Sequence, residues 1–139
     1  MVVIDTSVAY KWFSTEKEEY LSYALRLLEA HLHKKDTITA PNLIIYELAN
    51  AWSTKTKLSV EKIKTFLEDF EEIDIEIEPL TFALISKAID FSKKYHVSVY
   101  DASYAVLARE QKCDLFTADS KFVEKMSLPF IKHLNKYST

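Results

Sequence analysis

The sequence contains no glycine at all in 139 residues. A backbone that cradles a phosphate closely needs residues without a Cβ, so a P-loop, a dinucleotide-binding fingerprint and a glycine-flanked serine elbow are excluded. The single cysteine, Cys113, rules out an internal disulfide and any multi-cysteine zinc site, and it fits a reducing compartment. No uninterrupted apolar run approaches the roughly 18 residues of a membrane span, and no signal peptide is visible, so a cytoplasmic location is expected. Acidic residues outnumber basic ones by 21 to 18, and the net charge of −3 argues against nucleic-acid binding by bulk charge. Any polyanion must be held at a local site.

Hydrophobic residues make up 48% and charged residues 28%, the balance of a soluble globular protein. The length predicts a single domain over 1–139, with no linker or repeat, and enough chain to bury roughly two-thirds of its unfolded surface. Charge is uneven: Glu61 to Glu78 holds eight acids against Lys62 and Lys64, so the rest of the chain is net positive. A solvated face on a helix and an edge strand is the plain meaning of that run.

Val2-Val3-Ile4 is a continuous β-branched run, which suits a strand buried on both faces. It ends at Asp5-Thr6-Ser7, three residues able to cap the short helical turn expected over 8–13. The spacing of Leu21, Leu25, Leu28 and Leu32 predicts an amphipathic helix from Glu16 to about Lys34. Thr37 to Ala40 reads as a strand, with Pro41 at the first helical position of a helix running to about Lys57. A further helix covers 58–73, with Ile63, Phe66, Leu67 and Phe70 as its stripe. Asp74 to Glu78 alternates like an edge strand with one wet face. Helices over 80–95 and 100–112, a strand over 115–117, a short helix from Asp119 to Met126 and an edge strand over 129–131 complete the chain. Strands alternating with helices predict an α/β fold: a single three-layer αβα sandwich with a roughly five-stranded parallel sheet.

In such a sheet ligands bind beyond the carboxyl ends of the strands. Asp5 and Asp119 stand there by position. Glu47 lies on a helix beside Leu43, Asn50 and Ala51, at the border of an apolar face, and Asp101 opens a helix whose same-side neighbours are mostly small. Each acid has an ordinary explanation. Asp5 and Asp119 cap helices, Ser98 and Asp101 form a capping box, and Glu47 reaches solvent. Taken together the explanations strain, because ionised pairs ~5 Å apart repel by about 3 kcal/mol at an effective dielectric of ~20. If the four converge, either some stay protonated or a divalent cation neutralises them, and an all-oxygen donor set selects Mg²⁺ or Mn²⁺.

An N-terminal strand ending in Asp5-Thr6-Ser7, a helical Glu47, Tyr100-Asp101-Ala102 opening a helix, and Thr117-Ala118-Asp119 with Phe122 together resemble the PIN-domain ribonucleases, from Met1 to about Ile131. Among them a stand-alone domain is most similar to the VapC-type toxins of toxin-antitoxin pairs. The resemblance implies a PIN-like nuclease domain, a Mg²⁺- or Mn²⁺-dependent endoribonuclease acting on RNA, a homodimer, and a small antitoxin as partner. It makes Asp5, Glu47, Asp101 and Asp119 the catalytic, metal-binding acids. Thr6, Ser7 and Thr117 then position a water or a neighbouring carboxylate. Where such proteins commonly carry glycine or a small residue before the last core strand, this chain has Gln111-Lys112-Cys113-Asp114, which opens the loop geometry and the role of Asp114.

Two rivals keep the same frame: a non-catalytic RNA- or protein-binding relative, and a housekeeping RNA-processing nuclease. A phospho-accepting signalling domain would need adjacent acids after the first strand and a lysine after the last core strand, and has neither here. His31 and His33 sit near a helix C-terminus, where positive charge is favoured, and neither they nor His96 and His133 have partners for a two-histidine mechanism. Lys11, Lys55, Lys57, Lys121 and Lys125 are candidates to guide an RNA strand, with ordinary surface as the alternative. Tyr10, Trp12 and Trp52 are candidates for base stacking, with core or a dimer face as the alternative.

Overall fold

The computed structural model describes residues 1–14 and 16–138. Five strands form one sheet in the order β3-β2-β1-β4-β5: β1 (Val2–Ile4), β2 (Ile38–Pro41), β3 (Glu76–Glu78), β4 (Asp114–Thr117) and β5 (Ile131–His133). All four pairings are parallel, with Val3 opposite Thr39 on one side and Leu115 on the other. The three central strands are almost wholly buried, as continuous apolar runs covered on both faces must be. No helix is long and apolar enough to cross a membrane among the described residues.

The first two crossovers run outward from β1 through α1 (Thr6–Ala9), α2 (Leu21–Leu32), α3 (Leu43–Thr54) and α4 (Val60–Ile73). The chain then jumps back across β1 through α5 (Phe82–Tyr95) and α6 (Val99–Gln111), and reaches β5 through α7 (Ser120–Met126). Right-handed crossovers place these two sets on opposite faces, completing the three-layer α/β sandwich. The reversal falls between β1 and β4, and that is where the crevice of a parallel sheet opens. Asp5 follows one of these strands and Asp119 the other. Helix α6 is buried from Ala102 to Ala108 and packs across β1, β2 and β4 beneath α5, a close approach its alanines permit.

Several boundaries differ from the sequence reading. Pro41 ends β2 rather than starting a helix; it is buried opposite Glu78, and α3 begins at Leu43 after Asn42. Helix α2 starts at Leu21, and its buried positions are Ala24, Leu27 and Ala30; Leu25 and Leu32 of the expected stripe are exposed. On α4 the core residues are Phe66 and Phe70, while Leu67 is exposed. Segment 6–13 is one α-turn followed by a 3₁₀ turn over Tyr10–Phe13. β5 lies two residues later than expected.

Without glycine, the chain closes its helices with other residues in the left-handed region: Lys34, Asp74, His96, Lys112 and Ser127 all have φ between 49° and 58°. Lys112 thus takes the conformation for which glycine is the usual residue, and its N–H bonds back to α6. A Cβ there costs on the order of 1 kcal/mol. Lys112→Gly is therefore expected to raise stability slightly, by up to about 0.5 kcal/mol, after the entropy glycine adds to the unfolded chain. Thermal melting checks this; a lowered Tm would show that the lysine is not strained.

His31 has a structural role that its position near a helix end did not reveal. Its Nδ1 accepts the Ile38 N–H (3.1 Å), so Nε2 carries the ring's proton and donates to Ile73 O (3.0 Å) and Asp74 O (3.2 Å). The neutral ring ties α2 to the start of β2 and to the turn before β3. A charged imidazole, favourable to the helix end, would break the Ile38 bond. Cys113 is half-buried, and desolvation pushes its thiol upward, as befits a packing residue.

Candidate active site

The end of β1 delivers Asp5 to the crevice, where it caps α1. Its Oδ1 accepts the Ser7 N–H (3.1 Å) and the Ser7 hydroxyl, and its Oδ2 accepts the Thr117 hydroxyl from the end of β4. Ser7 in turn accepts the Ala118 N–H (2.9 Å), so β1 and β4 are laced together at their carboxyl ends. Asp119 caps α7 through the Phe122 N–H (3.1 Å), and its own N–H donates to Thr117 (3.1 Å). Both aspartates are thus helix caps, and they follow adjacent strands as well.

Glu47 comes from the second turn of α3, which packs against α1. Its Oε1 accepts hydrogen bonds from the Thr6 hydroxyl (2.9 Å) and from the Tyr104 hydroxyl of α6 (2.5 Å). Tyr104 is a same-side neighbour of Asp101 that the acid pattern does not single out. The available signal was its place one turn after that acid, on the same face. Asp101 is held at the start of α6 by its N–H bond to the Ser98 hydroxyl (3.0 Å), one half of the expected capping box.

The electrostatics tie the four together. Asp5 is pushed up to about 6: burial is the main cause, the Ser7 and Thr117 bonds oppose it, and the charges of Asp101 and Glu47 add to it. Asp101 is also held above the ordinary carboxylate range, first by burial and then by Glu47 and Asp119, against the pull of Ser98 and Lys125. Tyr104 is raised by burial and by Glu47, so its hydroxyl stays protonated and donates. Every sequence-predicted acid is therefore in electrostatic reach of at least one other.

Among the described residues, no three acidic, histidine or cysteine side chains are grouped closely enough to hold one ion as they stand. The donor set nonetheless suits a hard cation. It is all oxygen, it is mutually repelling, and Glu47 Oε2 and Asp119 Oδ2 accept no hydrogen bond from the described residues.

Other candidates sort by location. Asp114 sits at the opposite, amino end of β4 and pairs with Lys132 (2.8 Å), away from the crevice. Lys11 is buried and paired with Glu18 (3.0 Å), so it is not a free surface cation. Trp52 is core, edge-to-face with Phe13 and Phe66, and Trp12 donates its N–H to Ala24 O (2.8 Å) beside that core. Tyr10 remains available. It lines a cleft of about 520 Å³ with Thr6, Ser7, Glu47, Asn50 and Lys55. A second hollow of about 800 Å³ shares Tyr10, Glu18 and Lys55 with this cleft and continues past Phe13 and Lys57 to Leu58 and Phe66.

Comparison with known proteins bears on the family and the fold. The sequence profile of the PIN domain matches residues 2–126. No curated protein sequence matches the chain. Among solved structures, VapC20 of Mycobacterium tuberculosis, described as a sarcin-ricin loop cleaving toxin, superimposes with a TM-score of 0.71 at 14% identity, over 94% of this chain and 97% of that one. A toxin-antitoxin complex from Klebsiella pneumoniae gives 0.72 at 13% identity, over 96% and 98%. FitAcB of Neisseria gonorrhoeae gives 0.65 at 16%, over 92% and 94%. At these identities the likeness is one of fold.

Proposed function

The chain belongs to the PIN-domain family, and from that membership we propose that it is a Mg²⁺- or Mn²⁺-dependent endoribonuclease, the toxin of a toxin-antitoxin pair. The observation that carries the reading is the uncompensated charge at the switch point: four carboxylates from four elements, two of them held above their ordinary range. A fold keeps such a cluster against its own stability where a ligand repays the cost. A hard divalent ion, when bound, acidifies water and neutralises the phosphate that is attacked.

The chain's own residues supply the rest. Asp5, Glu47, Asp101 and Asp119 are the ligands. Ser7 and Thr117 fix the carboxylate of Asp5, and Thr6 fixes that of Glu47. The cleft beside Thr6 and Glu47 has Lys55 at its wall to attract a phosphate and Tyr10 to stack on an unpaired base. The adjoining hollow, where Phe13 and Leu58 stand among Glu16, Glu18, Lys55 and Lys57, offers a mixed apolar and charged surface to an antitoxin segment. The almost wholly exposed Phe82 (97%) and Tyr46 (71%) are large apolar side chains for a second copy to cover. The lone half-buried thiol is in keeping with the cytoplasm.

Purified protein is expected to cut RNA internally in Mn²⁺ or Mg²⁺, to stop in EDTA, and to sediment as a dimer that binds a small protein from its own source. A fully active, partnerless monomer would remove the toxin and dimer parts of the reading. A non-catalytic RNA- or protein-binding role is the second reading, favoured by the lack of a ready three-ligand group among the described residues. It prevails if neither ion raises Tm, because a ligand at 100 times its Kd adds about 2.7 kcal/mol.

A further inference from the structure

Glu47 differs from the other three acids in how it is held. Asp5 and Asp119 each accept a backbone N–H at a helix start, and Asp101 has a short side chain in the first turn of α6. Glu47 is in mid-helix, has one more rotatable bond, and has no backbone donor beside it. Left alone it would lose side-chain freedom on taking up a ligand, and binding would be weaker by that amount. The structure instead brings two hydroxyls to the same oxygen. Thr6 and Tyr104 both reach Oε1, and the two hydroxyl oxygens are themselves 3.0 Å apart. With one proton each, both spent on Glu47, they leave Oε2 as the oxygen free for a ligand.

Tyr104 has only 1% of its surface exposed, so its hydroxyl has no water to bond and is committed to this contact. Thr6 adjoins Asp5, and Tyr104 follows Asp101 by one turn on the same helix. The clamp therefore registers Glu47 against two of the other acids. We infer that Tyr104 is a positioning residue of the metal site, acting through Glu47: with Thr6 it holds one carboxylate oxygen so that the other is presented to the ion. This rests on the metal-dependent reading above. It adds a residue that the acid pattern does not contain.

The test is a titration of Mn²⁺ into RNA-free protein at pH 7.5, followed by the electron paramagnetic resonance of the free ion. Tyr104→Phe, which deletes one oxygen, is expected to weaken Mn²⁺ binding by about 10- to 100-fold, the range typical of lost outer-sphere partners. The half-saturating Mn²⁺ for RNA cleavage should rise in parallel. In a Glu47→Gln background the same substitution should change Mn²⁺ affinity by less than about 2-fold, since its route of action is gone. Should Tyr104→Phe fail to fold, Thr6→Val removes the other donor and should weaken binding likewise, while Thr6→Ser restores it. Parent-like Mn²⁺ affinity in Tyr104→Phe or Thr6→Val overturns the clamp, as does an equal loss with and without Glu47. If the parent takes up Mn²⁺ and cuts RNA while these variants behave like it, only the clamp falls. If the parent takes up none, the metal-dependent reading falls and takes the clamp with it.

Discussion

Asp101→Asn is expected to lower RNA cleavage by at least ~10²- to 10³-fold and, at the same time, to raise the melting temperature of the ion-free protein. The two effects share one cause. Asp101 is half-buried, which is the main cost to its charged form, and the charges of Glu47 and Asp119 add more to that cost than Ser98 and Lys125 relieve. Asparagine keeps the shape and the helix-start position and removes the repelled charge, a gain of about 1 kcal/mol by the usual yield of relieving a surface charge conflict. On the proposed reading cleavage falls because the charge that costs stability is the one that would hold the cation, and the cation would offset the negative charge building on the phosphate.

Asp5→Asn should abolish cleavage equally but stabilise less. Its carboxylate accepts three hydrogen bonds, from Ser7 twice and Thr117 once, and an amide can accept them on one oxygen only. Cleavage assays alongside thermal melts separate the cases. An Asp101→Asn protein that cuts RNA at the parent rate removes that residue from the site. One that is inactive and also less stable would mean that Asp101 serves the fold.

The contrast between these aspartates shows where reading the sequence stops. The β-branched run at 2–4 and the short, mostly apolar run at 115–117 announced strands because a buried parallel strand has no wet face to alternate with. The acids after them were legible because the chain must leave a strand at its carboxyl end, whatever the loop. Asp5 and Asp119 do cap helices, as the plain reading held, and a cap uses one oxygen only: the second oxygen of Asp5 takes the Thr117 hydroxyl and that of Asp119 accepts no hydrogen bond from the described residues. Less legible was anything set by packing between distant elements. The leucine stripe of α2 was periodic, yet Leu25 and Leu32 face outward and Ala24, Leu27 and Ala30 face in, a choice of face set by packing on the core and not by the period. The same holds for Tyr104. Its hydroxyl matters because α6 crosses three strands and meets α3, a juxtaposition that spacing along one helix cannot report. Pro41 misled for a local reason: proline suits the first helical position and the end of a strand alike, and only the Glu78 pairing distinguishes them.

Proton and metal should compete for the same oxygens, and the sign of that competition can be worked out. Asp5 is raised from 3.8 to about 6 on folding, and Asp101 moves the same way. A carboxyl whose folded value lies above its unfolded one binds its proton more tightly in the folded state. Its contribution is full below about pH 4 and is lost as pH rises through 6. For Asp5 the span corresponds to on the order of 2–3 kcal/mol. In EDTA, the difference in Tm between the parent and Asp5→Asn should therefore move in the parent's disfavour between pH 5 and pH 7.5, by several degrees for a domain of this size. A bound divalent ion reverses the sense, because it needs the carboxylates ionised. The rise in Tm on adding Mn²⁺ should be large at pH 7.5 and shrink steeply by pH 5. Subtracting the Asp5→Asn curve cancels carboxylates elsewhere, such as Glu110, whose pairing with Lys87 lowers it and gives the opposite slope. An Mn²⁺-induced shift equal at both pH values would mean that the ion binds somewhere other than among these acids.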